Sequence, residues 1–232
     1  MNKKPSFSAL LLGATGLVGN YCLQNLLQDP QYTRITVLSR RALSYQHFKL
    51  KVHLINFEKL KDFAELMVCD HIFCTLGNTP KAAGSKDASR KVNFSYPLEV
   101  ARISSKNGAH QFLLVSALTA SKESRIFYNR VKGELEEAVA SLPFQTVLIF
   151  RPSLILGKRQ EKRAGERMTQ IISQLLTPLL VGKIRNYRPI HARVLARSMT
   201  EIAKIQLSGV QTFTTDQMQF FYEQLLKKEI SH

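Results

Sequence analysis

The 232-residue chain predicts a doubly wound, mostly parallel α/β fold with strand order 3-2-1-4-5-6 and helices on both faces. A glycine fingerprint closes the first apolar run. Six short β-rich runs then alternate with helical patterns, and the side chains capable of chemistry cluster just past the ends of those runs.

The first strand, residues 9–12, runs into Gly13, Gly16 and Gly19 with G-x-x-G-x-x-G spacing. A helical pattern of Leu17, Val18, Cys22, Leu23, Leu26 and Leu27 follows. This is a strand, a tight turn, and a helix whose open N-terminus faces a phosphate. The first glycine makes the turn, the second admits the pyrophosphate, and the third lets the helix approach the sheet. A secretory leader beginning at Lys3 and Lys4 is the rival reading. Against it, the apolar run is short and no small-x-small cleavage site stands out before Gln24.

The second strand, 34–39, ends in Arg40 and Arg41, with Arg40 standing 21 residues after Gly19. An NAD-binding domain usually places Asp or Glu there for the ribose 2′-hydroxyl. A pair of guanidinium groups suits a 2′-phosphate instead, so the expected cofactor is NADP(H). Residues 51–56, 71–75, 111–116 and 145–150 read as strands three to six. Residues 58–67, 95–106 and 123–141 read as helices between them, with Pro97 near a first turn. A short strand near 212–214 extends the sheet. A last helix, 216–228, takes Asp216 as N-cap and packs Phe220, Leu225 and Leu226.

Ser116 ends the fifth strand, and Tyr128 and Lys132 follow at i and i+4, on one helix face. Tyr45 and Lys49 repeat that spacing, but after the second strand, on the adenosine side. Position selects Tyr128, which lies where ligands gather in an open α/β sheet.

With these motifs in order, the chain resembles the short-chain dehydrogenase/reductase superfamily. It is most similar to the atypical branch that contains the Tat-interacting-protein (CC-three) oxidoreductases. The matching segments are Gly-Ala-Thr-Gly-Leu-Val-Gly at 13–19, Leu-Ser-Arg-Arg at 38–41, Thr-Leu-Gly-Asn-Thr at 75–79 and Val-Ser-Ala at 115–117. They continue with Tyr-Asn-Arg-Val-Lys-Gly-Glu at 128–134, Phe-Arg-Pro-Ser-Leu-Ile-Leu at 150–156 and Arg-Gln-Glu-Lys-Arg at 159–163. The resemblance implies that Tyr128 is the general acid or base, that Lys132 stabilises its phenolate and bonds the nicotinamide ribose, and that Ser116 holds the substrate oxygen. Thr15, Gly16, Leu17 and Val18 would line the pyrophosphate, and Arg40 and Arg41 the 2′-phosphate. Leu76 and Gly77 would line the adenosine ribose side, backbone from Pro152 to Ile155 would meet the nicotinamide, and Arg163 would add an anion contact. Asn56 stands where many relatives carry an adenine-binding Asp. The motifs do not place the superfamily's relay Asn, although Asn93 and Asn129 lie nearby.

Composition predicts one domain over 1–232, with 153–190 as a basic insertion on the substrate side. The net charge is +16. Residues 151–197 hold 11 Lys/Arg against Glu161 and Glu166, which an acidic substrate, a nucleic-acid surface or merely a basic proteome would explain. No nucleic-acid module accompanies the charge, which argues against specific nucleic-acid binding. Cys22, Cys69 and Cys74 show no zinc spacing and are expected to be reduced, and no His/Cys or carboxylate cluster predicts a metal. No stretch reaches the ~20 apolar residues of a membrane span, and the absence of an export signal predicts a cytoplasmic location. Helices 95–106 and 123–141 form a dimer face in many relatives, which leaves a homodimer or a protein partner open. Two functions stand: an NADP(H)-dependent oxidoreductase acting on a small carbonyl or alcohol, and an NADPH-binding redox sensor that signals through a partner. The Ser116, Tyr128 and Lys132 set favours the enzyme.

Overall fold

A computed structural model describes residues 5–78, 80–157 and 186–230. Strand β1 (Phe7–Leu12) lies inside a seven-stranded sheet with β2 (Tyr32–Ser39) and β3 (Leu50–Leu54) on one side. On its other side lie β4 (His71–Cys74), β5 (Gln111–Val115), β6 (Thr146–Arg151) and β9 (Gly209–Thr214). Every pairing is parallel. The order 3-2-1-4-5-6 therefore stands, with β9 added beyond β6, and the strand anticipated at 212–214 begins at Gly209. A two-residue strand β7 (Ile155–Leu156) pairs with β8 (Ile190–His191), a pairing the sequence did not signal.

Alternation along the strands sends apolar side chains to both faces, because successive residues of a strand point opposite ways. Ala9 and Leu11 of β1, Leu113 of β5, and Leu148 and Phe150 of β6 join one core. Leu10 and Leu12, Phe112 and Leu114, and Val147 and Ile149 join the other. The first core is covered by α1 (Leu17–Gln28) and α6 (Ala192–Ile202), which pack on one another. The second is covered by a 3₁₀ segment (Phe57–Leu66), α4 (Tyr96–Lys106) and α5 (Phe127–Ala140).

Several expected elements are corrected. Residues 57–66 form 3₁₀ turns with non-helical backbone at Lys59 and Phe63, not a regular helix. Short helices α2 (Pro80–Ala83) and α3 (Lys86–Arg90) lead through a π-helical turn (Lys91–Ser95) into α4. Helix α5 begins at Phe127 rather than at residue 123, because Ser124 N–H donates to the Ser121 carbonyl and Ile126 N–H to Ser124 Oγ. Helix α7 (Thr215–Ile230) holds Asp216 within its first turn rather than as its cap. It packs through Met218 and the half-buried Phe221, while the anticipated Phe220 and Leu226 are exposed and Leu225 is half-buried.

Candidate active site

The glycine turn after β1 is built by close backbone approach. Gly13 has φ +85°, and a Cβ there would lie 2.7 Å from Thr75 Oγ1, the hydroxyl that donates to the Leu12 carbonyl at 2.7 Å. A Cβ at Gly19 would sit 2.1 Å from the Gly13 carbonyl oxygen, so α1 reaches the end of β1 only because both positions lack side chains. Gly16 caps α1 with no side-chain hydrogen bond, and the first turn carries no acid. The first amides of α1 therefore point outward without a competing carboxylate, a site suited to a pyrophosphate. Thr15 and Gly16 are exposed, Leu17 is half-buried, and Val18 and Gly19 are buried. Val18 joins the core, so its contribution to the cradle is backbone.

Past the end of β2, Ser39 Oγ donates to the Arg41 carbonyl at 2.7 Å and accepts from Arg41 N–H at 3.1 Å, a turn that follows the strand directly. Arg40 and Arg41 are exposed there. Arg40 shares a cavity of about 500 Å³ with Asn56, Glu58 and Tyr96. Asn56 Oδ1 accepts from Glu58 N–H at 2.9 Å and caps the 3₁₀ segment, so Nδ2 is the end left for a ligand. Glu58 accepts from Lys91 Nζ at 2.7 Å and then from Tyr96 Oη at 2.6 Å, and these bonds hold its carboxyl below the usual range. Burial, and then the bond to Glu58, pushes Tyr96 up to about 12. Sequence reading missed Glu58 and Tyr96, since no spacing links the loop after β3 to the start of α4. A larger groove, about 740 Å³, adjoins this cavity between the 3₁₀ segment and α4, away from Ser116 and Lys132.

Farther along the same carboxyl edge of the sheet, after β5, Ser116 and Lys132 come to adjoining backbone. Ser116 N–H donates to the Phe150 carbonyl at 2.7 Å, while its Oγ is buried with no partner among the described residues. Lys132 is 1% exposed, and its ammonium donates to the carbonyls of Val115 at 2.9 Å and Leu76 at 3.4 Å. Two backbone acceptors fix this lysine in place. Tyr128 is half-buried one turn earlier on the same face. A Cβ at Gly77 would lie 3.6 Å from Asn93 Oδ1 and 3.9 Å from Lys132 Nζ, so the loop after β4 meets both side chains. Asn93 is fully buried; its Nδ2 donates to Asn78 and Ser89, and its Oδ1 accepts from Asn78 N–H at 3.3 Å. Its carbonyl lacks the usual helical donor four residues on, because that residue is Pro97. Asn129, the other candidate, offers its carbonyl to Ser121 N–H at 3.1 Å.

Pro152 is buried, and its carbonyl accepts from Leu118 N–H at 2.9 Å. Ile155 lies in β7, and a Cβ at Gly157 just beyond would lie 2.9 Å from Leu17 Cδ1. Arg163 and most of the basic insertion lie outside the described residues. The rival pair is structural: Tyr45 Oη bonds the side chains of Gln24 and Asn20, while Lys49 Nζ closes the end of α1 on the Leu27 and Asp29 carbonyls. His191 caps α6 by accepting from Arg193 N–H. Cys22, Cys69 and Cys74 are buried free thiols, and burial raises the pKa of each. Among the described residues no cluster of His, Cys, Asp or Glu could hold a metal, and no helix is long and apolar enough to cross a membrane.

A family model described as the NAD dependent epimerase/dehydratase family matches residues 9–195. Protein HTATIP2 of Rattus norvegicus is 33% identical over 168 residues, covering 71% of this chain and 69% of that protein. Protein fmp52, mitochondrial, of Aspergillus fumigatus is 35% identical over 206 residues, covering 86% and 88%. Among solved structures, UDP-glucose 4-epimerase of Thermotoga maritima aligns at TM-score 0.67 and 14% identity, over 95% of this chain and 82% of that one. The Bordetella bronchiseptica enzyme WbmH, in complex with NAD+, gives 0.67 and 14% over 95% and 80%. At those identities the likeness establishes the fold. The expected cytoplasmic location is corrected: the Fmp52 relatives from Aspergillus and Candida are named mitochondrial.

Proposed function

The chain belongs to the NAD dependent epimerase/dehydratase family of short-chain dehydrogenases/reductases, and from that premise we propose that it is an NADP(H)-dependent oxidoreductase acting on a small carbonyl or alcohol. The carrying observation is at the end of β5: a buried Ser116 hydroxyl without a protein partner beside a buried Lys132 ammonium held on the Val115 carbonyl. A buried hydroxyl left unbonded costs free energy, which a substrate oxygen would recover.

The cradle of Gly13, Gly16 and Gly19, with its uncapped helix, fits a dinucleotide pyrophosphate, and Arg40 and Arg41 fit a 2′-phosphate. When bound, the nicotinamide supplies or accepts a hydride. Ser116 Oγ donates to the substrate oxygen and orients it. Tyr128 Oη gives that oxygen a proton as the carbonyl is reduced, or takes it back in the reverse direction. Tyrosine ordinarily titrates near ~10 and is a poor proton carrier at neutral pH, so the Lys132 ammonium is needed to stabilise the phenolate.

Tyr128→Phe keeps the ring and removes the proton. It is expected to lower kcat about 10²–10⁴-fold while leaving NADPH affinity within a few-fold, measured by dinucleotide fluorescence and by NADPH consumption over a carbonyl panel. Full activity of Tyr128→Phe on a substrate turned over by the parent would overturn the assignment.

A further inference from the structure

Lys132 and Glu136 stand four residues apart on α5, the spacing at which a helix brings an ammonium and a carboxylate together. Helical side chains lean toward the N-terminus, so the Glu136 carboxylate leans over the turn that carries Lys132. Both side chains are buried. The ammonium nevertheless donates to two backbone carbonyls, and none of the ion pairs of the described residues joins it to Glu136. Glu136 is taken from the other side. Arg151, the last residue of β6, donates Nε to Oε1 at 3.0 Å and Nη2 to Oε2, engaging both carboxylate oxygens in a fork.

We propose that Arg151 is a positioning residue for the acid–base pair: by holding both oxygens of Glu136 it keeps the Lys132 ammonium un-neutralised beside Tyr128. The proposal rests on the roles given above to Tyr128 and Lys132. Without Arg151 a buried carboxylate would face a buried ammonium one turn away, and pairing is the outcome that leaves neither charge alone. Lys132 would then be neutralised, and a Tyr128 phenolate would lose the cation proposed to stabilise it.

The other ionisable groups nearby do not offer this contact. Burial holds the Cys74 thiol, at the end of β4, up at about 11, so it is neutral below that pH. Lys86 and Arg130 lie over the Phe127 ring. Glu134 is paired with Arg90 and Arg130, and Glu137 with Lys122.

The test is spectroscopic and needs no substrate. In the purified full chain without added dinucleotide, the ultraviolet tyrosinate titration of each protein is compared with that of the same protein carrying Tyr128→Phe. The difference isolates Tyr128. Lys132→Met is expected to raise the midpoint, and Arg151→Met to raise it by about one pH unit or more. Arg151→Met combined with Glu136→Gln is expected to return it to the parent value, since no carboxylate remains to capture Lys132. An unmoved midpoint in Arg151→Met, with a raised one in Lys132→Met, would overturn the role of Arg151 and leave the Tyr–Lys reading intact. An unmoved midpoint in Lys132→Met would overturn the Tyr–Lys reading itself. If circular dichroism shows Arg151→Met unfolded, Arg151→Lys and Glu136→Gln carry the test. The lysine variant, with a single ammonium in place of the fork, is expected to shift part of the way, and the glutamine variant to stay at or below the parent. An unshifted Arg151→Lys or a raised Glu136→Gln midpoint overturns the proposal.

Discussion

Arg40 and Arg41 follow β2 on a turn tied by Ser39, and both residues are exposed. A charge-assisted bond to phosphate is worth roughly 1.5–3 kcal/mol. Exposure to water and salt cuts that toward the lower end, so one bond gives about a tenfold preference. Replacing both arginines by alanine is expected to weaken NADPH binding by about one to two decades and leave NADH binding almost unchanged. Raised salt should erode the parent's preference in the same titrations. Equal parental affinities for the two dinucleotides would return the cofactor choice to open. Tyr45→Phe makes a useful contrast. It removes a hydroxyl bonded to Gln24 and Asn20, so it should cost about 1 kcal/mol of stability and spare turnover. The residue types at these positions were legible from spacing. The bonds of Glu58 to Tyr96 and of Glu136 to Arg151 were not, because each joins segments brought together by the fold alone.

Among elements, α5 shows how a helix can be readable while its start is not. Apolar periodicity marks the helix, but Ser121 to Ile126 fold into a turn that packs flat on it. The contact depends on Gly133, where a Cβ would lie 2.3 Å from the Ser121 carbonyl carbon and 2.4 Å from Lys122 N. Both obstacles are backbone, so neither can swing aside. Gly133→Ala must push α5 away from the 121–122 turn, at a cost of roughly 1–3 kcal/mol by analogy with overpacked cores. A drop in kcat larger than the change in NADPH affinity is expected, since Lys132 precedes Gly133 and Tyr128 lies one turn before it. Thermal unfolding, NADPH titration and turnover on one preparation check this; unchanged stability and turnover would show that the turn yields freely. The 3₁₀ segment teaches the opposite lesson. Its apolar spacing imitates a helix, while an Asn56 cap and breaks at Lys59 and Phe63 keep it from becoming one.

Across the whole molecule, the sheet was the most legible feature, because strands buried on both faces appear as short apolar runs whose order follows from right-handed crossovers. The β7–β8 pairing was not legible, since two-residue strands carry no periodicity. Stability against acid was also hidden, and it resides at the end of the sheet opposite the site. His71 is buried at the start of β4, its Nδ1 2.9 Å from Tyr32 Oη and its ring tilted against Phe7 with centroids 4.5 Å apart. Burial lowers its pKa from 6.5 to about 4; the Asp70 carboxylate opposes the shift, and His110 adds to it. The unfolded chain therefore binds a proton at His71 at pH values where the folded chain does not. The contribution is fully present above pH 6.5 and is lost as the pH falls from there to about 4. Its size is about 3 kcal/mol at most, from ~1.4 kcal/mol per pH unit of difference. Asp70 adds loss at lower pH. Its carboxyl is raised by burial but held net below 3.8 by Ser8, whose hydroxyl and amide both donate to it at 2.7 Å. His71→Gln keeps an acceptor for Tyr32 and cannot titrate. Denaturant unfolding between pH 7 and 4 should show the parent losing stability steeply while the glutamine variant, less stable at neutral pH, changes little. Parallel slopes for the two proteins would show that the buried imidazole takes up its proton without opening the fold.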